Sequence, residues 1–337
     1  MSEVGIAVIG LGFVGGKAHV PSVRRIPGTK LIAVSDVRPE RGQKFVEKYG
    51  CRYYENHLDA INDSEVDAVI IAVPTPFHFQ VAADAIKQGK HVLCEMPLTT
   101  SEEESIALGN LARESGVILM PVLNFRFTPN YVKVKELLDE RKLSCPLSFT
   151  FKEFIPAKDL AKQWPLSSWA WDLEKSGGYP NYTLSVWSID LIQWLFGSEI
   201  DEVNWQSIYS PIDGINDYKG YHTVGSVKLT NGVVGSFHYG STVAEGLGTS
   251  QLEIFGCNGV TLKATWNDQL ELRGSDEKPE HWTFKVKGAR VWGHLQTDQH
   301  FVDCILGNDR PQFGVTDAIK IQRIAKQMVH SSSNVGN

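Results

Sequence analysis

Gly10, Gly12 and Gly15 follow an apolar run at 6–9 and precede Lys17 and Val20, in the order strand, tight turn, helix. Such a turn does its chemistry with the main chain. Gly10 leaves the strand at a φ/ψ that a Cβ would oppose, Gly12 lets backbone N–H groups approach a pyrophosphate, and Gly15 lets the helix pack closely on the strand. The helix N-terminus then turns its partial positive charge toward the phosphates. Phe13 and Val14, inside the turn, join Gly10 and Gly12 as candidate cofactor contacts. Asp36 ends a second apolar run, 30–35, about 20 residues beyond the glycines, the spacing at which a carboxylate reaches the adenosine ribose hydroxyls. That acid favours NAD. Arg38 either holds the 2′-phosphate of NADP or is a solvated arginine beside a helix start, so both dinucleotides stay open.

The elements that must hold these groups alternate. A helix opens at Pro39, and 66–73 is an almost continuous apolar run suited to a parallel strand buried on both faces. Further strands are expected at 91–94 and 118–123, with helices over 80–88 and 101–115, the second begun by the Ser101-x-x-Glu104 capping box. This alternation predicts an α/β fold with a doubly wound parallel sheet over 1–124. Ligands of such sheets lie beyond the carboxyl ends of the strands. That nominates Ala72, Pro74, Thr75 and His78 after the third strand, Glu95, Met96 and Pro97 after the fourth, and Asn124 after the fifth.

The second half reads differently. Strands at 147–154, 224–229, 232–239 and 250–255, with hairpin turns at Asn231-Gly232 and Asn258-Gly259, predict an antiparallel sheet in an α+β domain over 125–337. An aromatic helix is expected around 182–196, stopped by Gly197, and another at 317–329, followed by a frayed tail at 331–337. Two domains suit 337 residues, of which 42% are hydrophobic and 21% charged. The net charge of −6, with no basic run, argues against nucleic acid. No apolar stretch is long enough for a bilayer, and Glu3 stands where a signal peptide would be basic. Five scattered cysteines without a Cys-x-x-Cys point to reduced thiols in a cytoplasm, and ten histidines without a His-x-x-x-His lead to the expectation of no metal site.

The glycine loop, Val66-Asp67-Ala68-Val69 leading to Pro74, Gly89-Lys90-His91-Val92-Leu93-Cys94-Glu95-Met96-Pro97-Leu98, and Asn124-Phe125-Arg126-Phe127-x-Pro129 together resemble the glucose-fructose oxidoreductase, inositol dehydrogenase and MocA family (Gfo/Idh/MocA). The resemblance implies an N-terminal Rossmann domain that binds NAD or NADP. It also implies redox chemistry at a hydroxyl carbon of a sugar, cyclitol or similar small polyol, and a large, mostly antiparallel sheet that pairs subunits into a homodimer or homotetramer. The family usually carries a lysine between the glutamate and proline of the fourth-strand motif. After a Gly-Gly segment it carries an aspartate and, four residues on, a histidine. Aligned on Gly177-Gly178 and Asp190, these positions hold Met96, Thr183 and Trp187 here. Arg126, Thr183 and Trp187 are candidate substrate contacts by the same resemblance.

Hydride leaves a carbinol carbon readily only if a base removes the hydroxyl proton, which typically contributes ~10²–10⁴ in rate. An indole donates a hydrogen bond but accepts no proton, and a thioether supplies no ammonium. Candidates for a replacement acid/base are Tyr179, Tyr182, Lys152 and Glu153. Three readings therefore stand together. The chain is an oxidoreductase with a relocated acid/base, or a nucleotide-binding sensor or structural partner without redox turnover, or a lyase or hydrolase that uses bound NAD transiently.

Overall fold

All six residues of β1 (Val4–Ile9) are buried, as an apolar run with strands on both sides requires. The computed structural model describes residues 3–164, 169–177, 180–212, 215–265, 268–274, 278–285 and 292–334. In it β1 pairs in parallel with β2 (Thr29–Ser35) and β4 (Ala68–Ile71). With β3 (Arg52–Tyr54), β5 (His91–Cys94) and β6 (Leu119–Pro121), these form a six-stranded parallel sheet in the order β3-β2-β1-β4-β5-β6. The winding reverses between β1 and β4, and the crevice beyond the strand ends at such a switch is where doubly wound sheets take their ligands.

The helix that follows β1 is locally widened. Over Gly15–His19 it makes a π turn, the Val20 N–H reaching back to the Gly15 carbonyl, and Pro21, which has no N–H to give, comes directly after. The expected capping box forms by half: Ser101 Oγ accepts from the Glu104 N–H at 3.2 Å, while the Glu104 carboxylate accepts from Thr100 Oγ1 at 3.1 Å.

A nine-stranded sheet makes the second architecture. Its strands are β7 (Pro146–Phe154), β8 (Ile200–Ile212), β9 (Ile215–Leu229), β10 (Val234–Gly240), β11 (Thr249–Gly256), β12 (Thr261–Thr265), β13 (Gln269–Arg273), β14 (Glu280–Thr283) and β15 (Ser332–Asn334). The order is β14-β13-β12-β11-β7-β10-β9-β8-β15, antiparallel except at β10–β7 and β15–β8. Period-two alternation gives the sheet two faces. Phe149, Phe151 and Phe237 are buried on one, where Phe149 meets Phe196 of the helix Pro180–Phe196 at 5.5 Å between ring centroids. Thr150, Lys152, Gln251 and Glu253 lie on the other.

Two expectations need correction. The tail expected to fray at 331–337 instead places Ser332–Asn334 beside β8, where main-chain pairing fixes it; 335–337 lie outside the described residues. The chain also does not divide once. One compact unit comprises Met1–Asn124 with Lys287–Gln322 and the other Phe125–Val286 with Arg323–Asn337, so the expected boundary at 124/125 describes only the first passage from one to the other.

The returning segment matters to the first unit because its helix His294–Ile305 brings Asp298 and His294 to the ends of β1 and β5. His19 donates from Nδ1 to Asp298 at 2.9 Å and from Nε2 to Glu95 at 3.0 Å. His294 donates from Nε2 to the same Glu95 oxygen at 3.2 Å. Burial opposes charge on His19, but the Asp298 and Glu95 carboxylates outweigh it and raise its pKa to about 10. Burial likewise opposes ionisation of Glu95, and the hydrogen bonds from His19 and His294 outweigh it, holding the carboxyl at about 2.

Replacing one partner leaves buried carboxylates without their cation, so His19→Gln is expected to cost roughly 3–5 kcal/mol in urea denaturation. The signs of the pH dependence follow. His19 contributes stability that is complete below its ordinary 6.5 and is lost as pH rises through about 10; Glu95 contributes stability present above 4.5 and lost as pH falls through about 2. The alkaline decline in unfolding free energy should be shallower in the variant; an unchanged alkaline limb would contradict the ion pair.

Candidate functional site

The glycine turn after β1 has the shape a dinucleotide needs. Gly10 sits at φ +92°, and a Cβ there would lie 2.6 Å from the Ala72 main chain. At Gly15 it would lie 1.9 Å from the Gly10 oxygen, whereas at Gly12 it meets nothing within 4 Å. Glycine at 10 and 15 is therefore required by the protein itself, and at 12 by something outside it. Asp36, 8% exposed, points back to this turn: Oδ2 accepts from the Leu11 N–H at 2.8 Å and Oδ1 from the Arg38 N–H at 2.9 Å. The Arg38 side chain is exposed.

The other nominated groups sort into a rim and a floor. Gly12, Phe13, Val14, Ala72 and Pro74 are half-buried at the ends of β1 and β4; Thr75, His78, Glu95, Met96, Pro97 and Asn124 are buried. His78 is a brace for the two loops it joins, its ring nitrogens facing the Val73 carbonyl at 2.8 Å and the Pro97 carbonyl at 2.9 Å, and burial lowers its pKa. Glu95 Oε2 accepts from the Met96 N–H at 3.2 Å, which ties the turn after β5 to the His19 network. Asn124 donates to the Trp292 carbonyl at 2.7 Å, but its Oδ1 is buried with no partner among the described residues. A buried acceptor left open, a glycine facing empty space and a carboxylate at the ribose spacing fit a bound dinucleotide.

No metal site was expected from histidine spacing, yet His19, Glu95 and His294 each direct one potential ligand atom into a common space, all within 4.8 Å of one another. Hydrogen bonds join the same atoms, His19 Nε2 and His294 Nε2 both donating to Glu95 Oε1. Sequence reading missed His19 and Asp298, and named His294 only as one of several scattered histidines that could reach a pocket. The available signal was modest: His294 and Asp298 stand at i, i+4 on one helix face, and His19 lies one turn after Gly15.

In the second unit, Thr183, Trp187 and Asp190 share one face of the helix Pro180–Phe196. Asp190 accepts both arms of the Arg126 guanidinium, Nε at 2.8 Å and Nη2 at 2.5 Å, so Arg126 is committed to a buried fork. Trp187 lies against Phe125 at 6.3 Å, and Phe125 against Tyr131 at 6.0 Å. The Thr183 hydroxyl is buried with no partner among the described residues.

The acid/base candidates separate. Tyr182 is fully buried, Lys152 lies on the sheet face away from the helix, and Tyr179 is outside the described residues. Glu153 lies on the helix side of β7, half-buried, opposite Tyr239 of β10 and Ser250 of β11. Tyr239 Oη and Ser188 Oγ, the residue after Trp187, are 2.6 Å apart, and Ser250 stands directly opposite Glu153 in the β7–β11 ladder. Burial pushes the Glu153 carboxyl up to about 7 against the opposing effect of the Ser250 hydrogen bond.

Residues 4–122 match the model of an oxidoreductase family with an NAD-binding Rossmann fold, and 131–261 match the GFO/IDH/MocA C-terminal domain. An uncharacterized oxidoreductase of Bacillus subtilis (strain 168), YrbE, is 28% identical over 204 residues, 60% of this chain and 56% of the relative. That match spans little more than half of the relative's length. The scyllo-inositol 2-dehydrogenase (NAD(+)) of the same organism is 31% identical over 328 residues, 92% of this chain and 88% of the relative. Among solved structures, GenD2 from gentamicin A biosynthesis, in complex with NAD, superposes with a TM-score of 0.82 at 23% identity, covering 98% of this chain and 94% of that one. With both of its sequence domains matched and a relative aligned over nearly its whole length, the chain belongs to the Gfo/Idh/MocA family, and its first unit is an NAD-binding Rossmann fold.

Proposed function

We propose that the chain is an NAD-dependent oxidoreductase acting on a hydroxyl or carbonyl carbon of a sugar, cyclitol or similar small polyol, with Glu153 as its acid/base. Family membership and the dehydrogenase name of the Bacillus subtilis relative support the reaction class. Asp36 supports NAD over NADP, since a carboxylate directed at the turn would repel a 2′-phosphate; the exposed Arg38 is the group that would have to compensate.

Bound NAD supplies the acceptor for a hydride. What the chain must supply is a group that takes the hydroxyl proton as the C–O bond gains double-bond character. One observation carries the assignment: Glu153 is a half-buried carboxyl ringed by Ser250, Tyr131 and Tyr239, and its burial puts the pKa near 7, where a general base is most effective. The hydroxyls around it, with Thr183 Oγ1, supply donors and acceptors suited to a polyol. The reading without redox turnover draws on the neutral Met96, Thr183 and Trp187, and the same assay separates the two.

We assign the protein to the cytoplasm on its free cysteines. Among the described residues no helix is long and apolar enough to cross a membrane. The second unit's open sheet face exposes Ile208, Val224, Val234 and Phe255, which supports a homodimer or homotetramer joined through it.

Substrate-dependent NADH formation across a panel of inositols and aldoses tests the activity. Glu153→Gln is expected to lower kcat by roughly 10²–10⁴ and to remove the rise in oxidation rate with pH through about 7. Because the fold favours the neutral carboxyl, ionisation costs stability between pH 4.5 and about 7, so the amide should melt no lower than wild type at pH 8. Full turnover in the amide variant would remove Glu153 from the mechanism, and no NADH from any polyol would favour the non-redox reading. Calorimetry on Gly12→Leu should show NAD binding abolished with little change in melting temperature, because a Cβ there meets nothing within 4 Å; undiminished affinity would displace the nucleotide from this turn.

A further inference from the structure

Two of the five cysteines differ from the rest. Cys51, Cys94 and Cys304 are buried, and burial raises each thiol, Cys304 to about 11. Cys145 and Cys257 are exposed. They are remote in sequence but meet where β7 begins and β11 ends: the last ladder pair is Gly256 with Pro146, and the next step sets Cys257 opposite Cys145. The Cys257 N–H donates to the Cys145 carbonyl at 3.2 Å and to the Ser144 carbonyl at 3.1 Å. Cys257 Sγ reaches the Ser144 carbonyl at 3.1 Å and lies 3.8 Å from Ser144 Oγ, the residue next to Cys145.

The backbone here is unusual as well. Among the described residues Arg141 and Cys145 are the non-glycine residues with positive φ, at 57° and 45°. L-residues rarely adopt this conformation without support from their surroundings. Main chains joined by a direct hydrogen bond, as at Cys257 N–H and the Cys145 carbonyl, bring two residues close enough for the Cα separations of about 4.4–6.8 Å that disulfides span.

We propose that Cys145 and Cys257 form a reversible oxidation site that hydroperoxides convert to an intramolecular disulfide. One thiolate attacks a peroxide oxygen and breaks the O–O bond, giving a sulfenic acid and, after protonation, water or an alcohol. The second sulfur then attacks the sulfenic sulfur, the S–S bond forms and water leaves. Two electrons pass from the sulfur pair to the peroxide, and two thiol protons end in the departing oxygen products. A dithiol reductant reverses the change. The partner thiol raises the Cys145 pKa, and the Arg141 charge offsets part of that rise. The bond would join β7 to the turn between β11 and β12 and close a loop of more than a hundred residues, constraining the unfolded chain.

The test is hydrogen peroxide on the full-length protein, followed by nonreducing peptide mapping and thiol titration in denaturant. The expected result is loss of two hydrogens from the intact mass, disappearance of two of the five thiols, one cross-linked peptide pair containing Cys145 and Cys257, and reversal by dithiothreitol. The oxidised form should melt several degrees higher. Cys145→Ser and Cys257→Ser should each remove the cross-link while leaving the reduced melting temperature within a degree or so, as surface substitutions do. Intermolecular dimers alone, a sulfinic acid on one residue without a cross-link, or loss of a buried thiol first would overturn the proposal.

Discussion

A buried imidazolium at His19 holds three distant stretches of the first unit in one arrangement: the helix after β1, the turn after β5 and the helix His294–Ile305. A lone charge at that depth would be prohibitive, and a lone carboxylate equally so. Each is present because the others are. Glu95 accepts from two imidazoles and from the Met96 N–H, so the turn after β5 is pinned by electrostatic contacts with remote segments. Asn124 belongs to the same assembly through His294 and Trp292. Its uncommitted Oδ1 is then a consequence: the amide is oriented by its donor side, and the acceptor is left for whatever occupies the crevice.

The second unit distributes charge differently. Where the family resemblance leads one to look for a titrating pair on the helix Pro180–Phe196, the chain has a hydroxyl and an indole, and the one carboxylate on that helix face is held by Arg126. The ionisable group that we assign as acid/base comes from a strand, opposite Tyr239, which meets the helix at Ser188. Glu153 is paired with no cation in the way Asp190 is, and burial therefore acts on it almost unopposed. In the reaction we propose, proton transfer has moved from helix to sheet while the aromatic and hydroxyl surroundings stay, and family membership by itself does not locate the acid/base.

Local chemistry made much of the first unit readable. Apolar runs with glycine and proline punctuation marked β1, β2 and β5 and the helix Pro39–Tyr49, since each signal acts within a few residues of its cause. The run at 66–73 forms a strand only over Ala68–Ile71, and Asp67 before it places its carboxylate on the Gly5 N–H at 2.7 Å. Short strands β12 to β14 gave no comparable signal; their alternation covers four or five residues each, and they exist because a neighbouring edge is there to pair with.

By itself the sequence determined the parallel sheet and the glycine turn with its acid, because each depends on residue type at short range or on a fixed spacing; that Met96, Thr183 and Trp187 stand where the family titrates came only from the resemblance. Tertiary structure decided which charges meet. His19 with Asp298, Glu153 with Ser250 and Tyr239, and Cys145 with Cys257 are all joined across long separations, and strand register alone separated Glu153 from its neighbour Lys152 by a whole sheet face. A pKa or a thiol's reactivity is a property of what surrounds a group in space, and that surrounding is assembled only when remote segments pack.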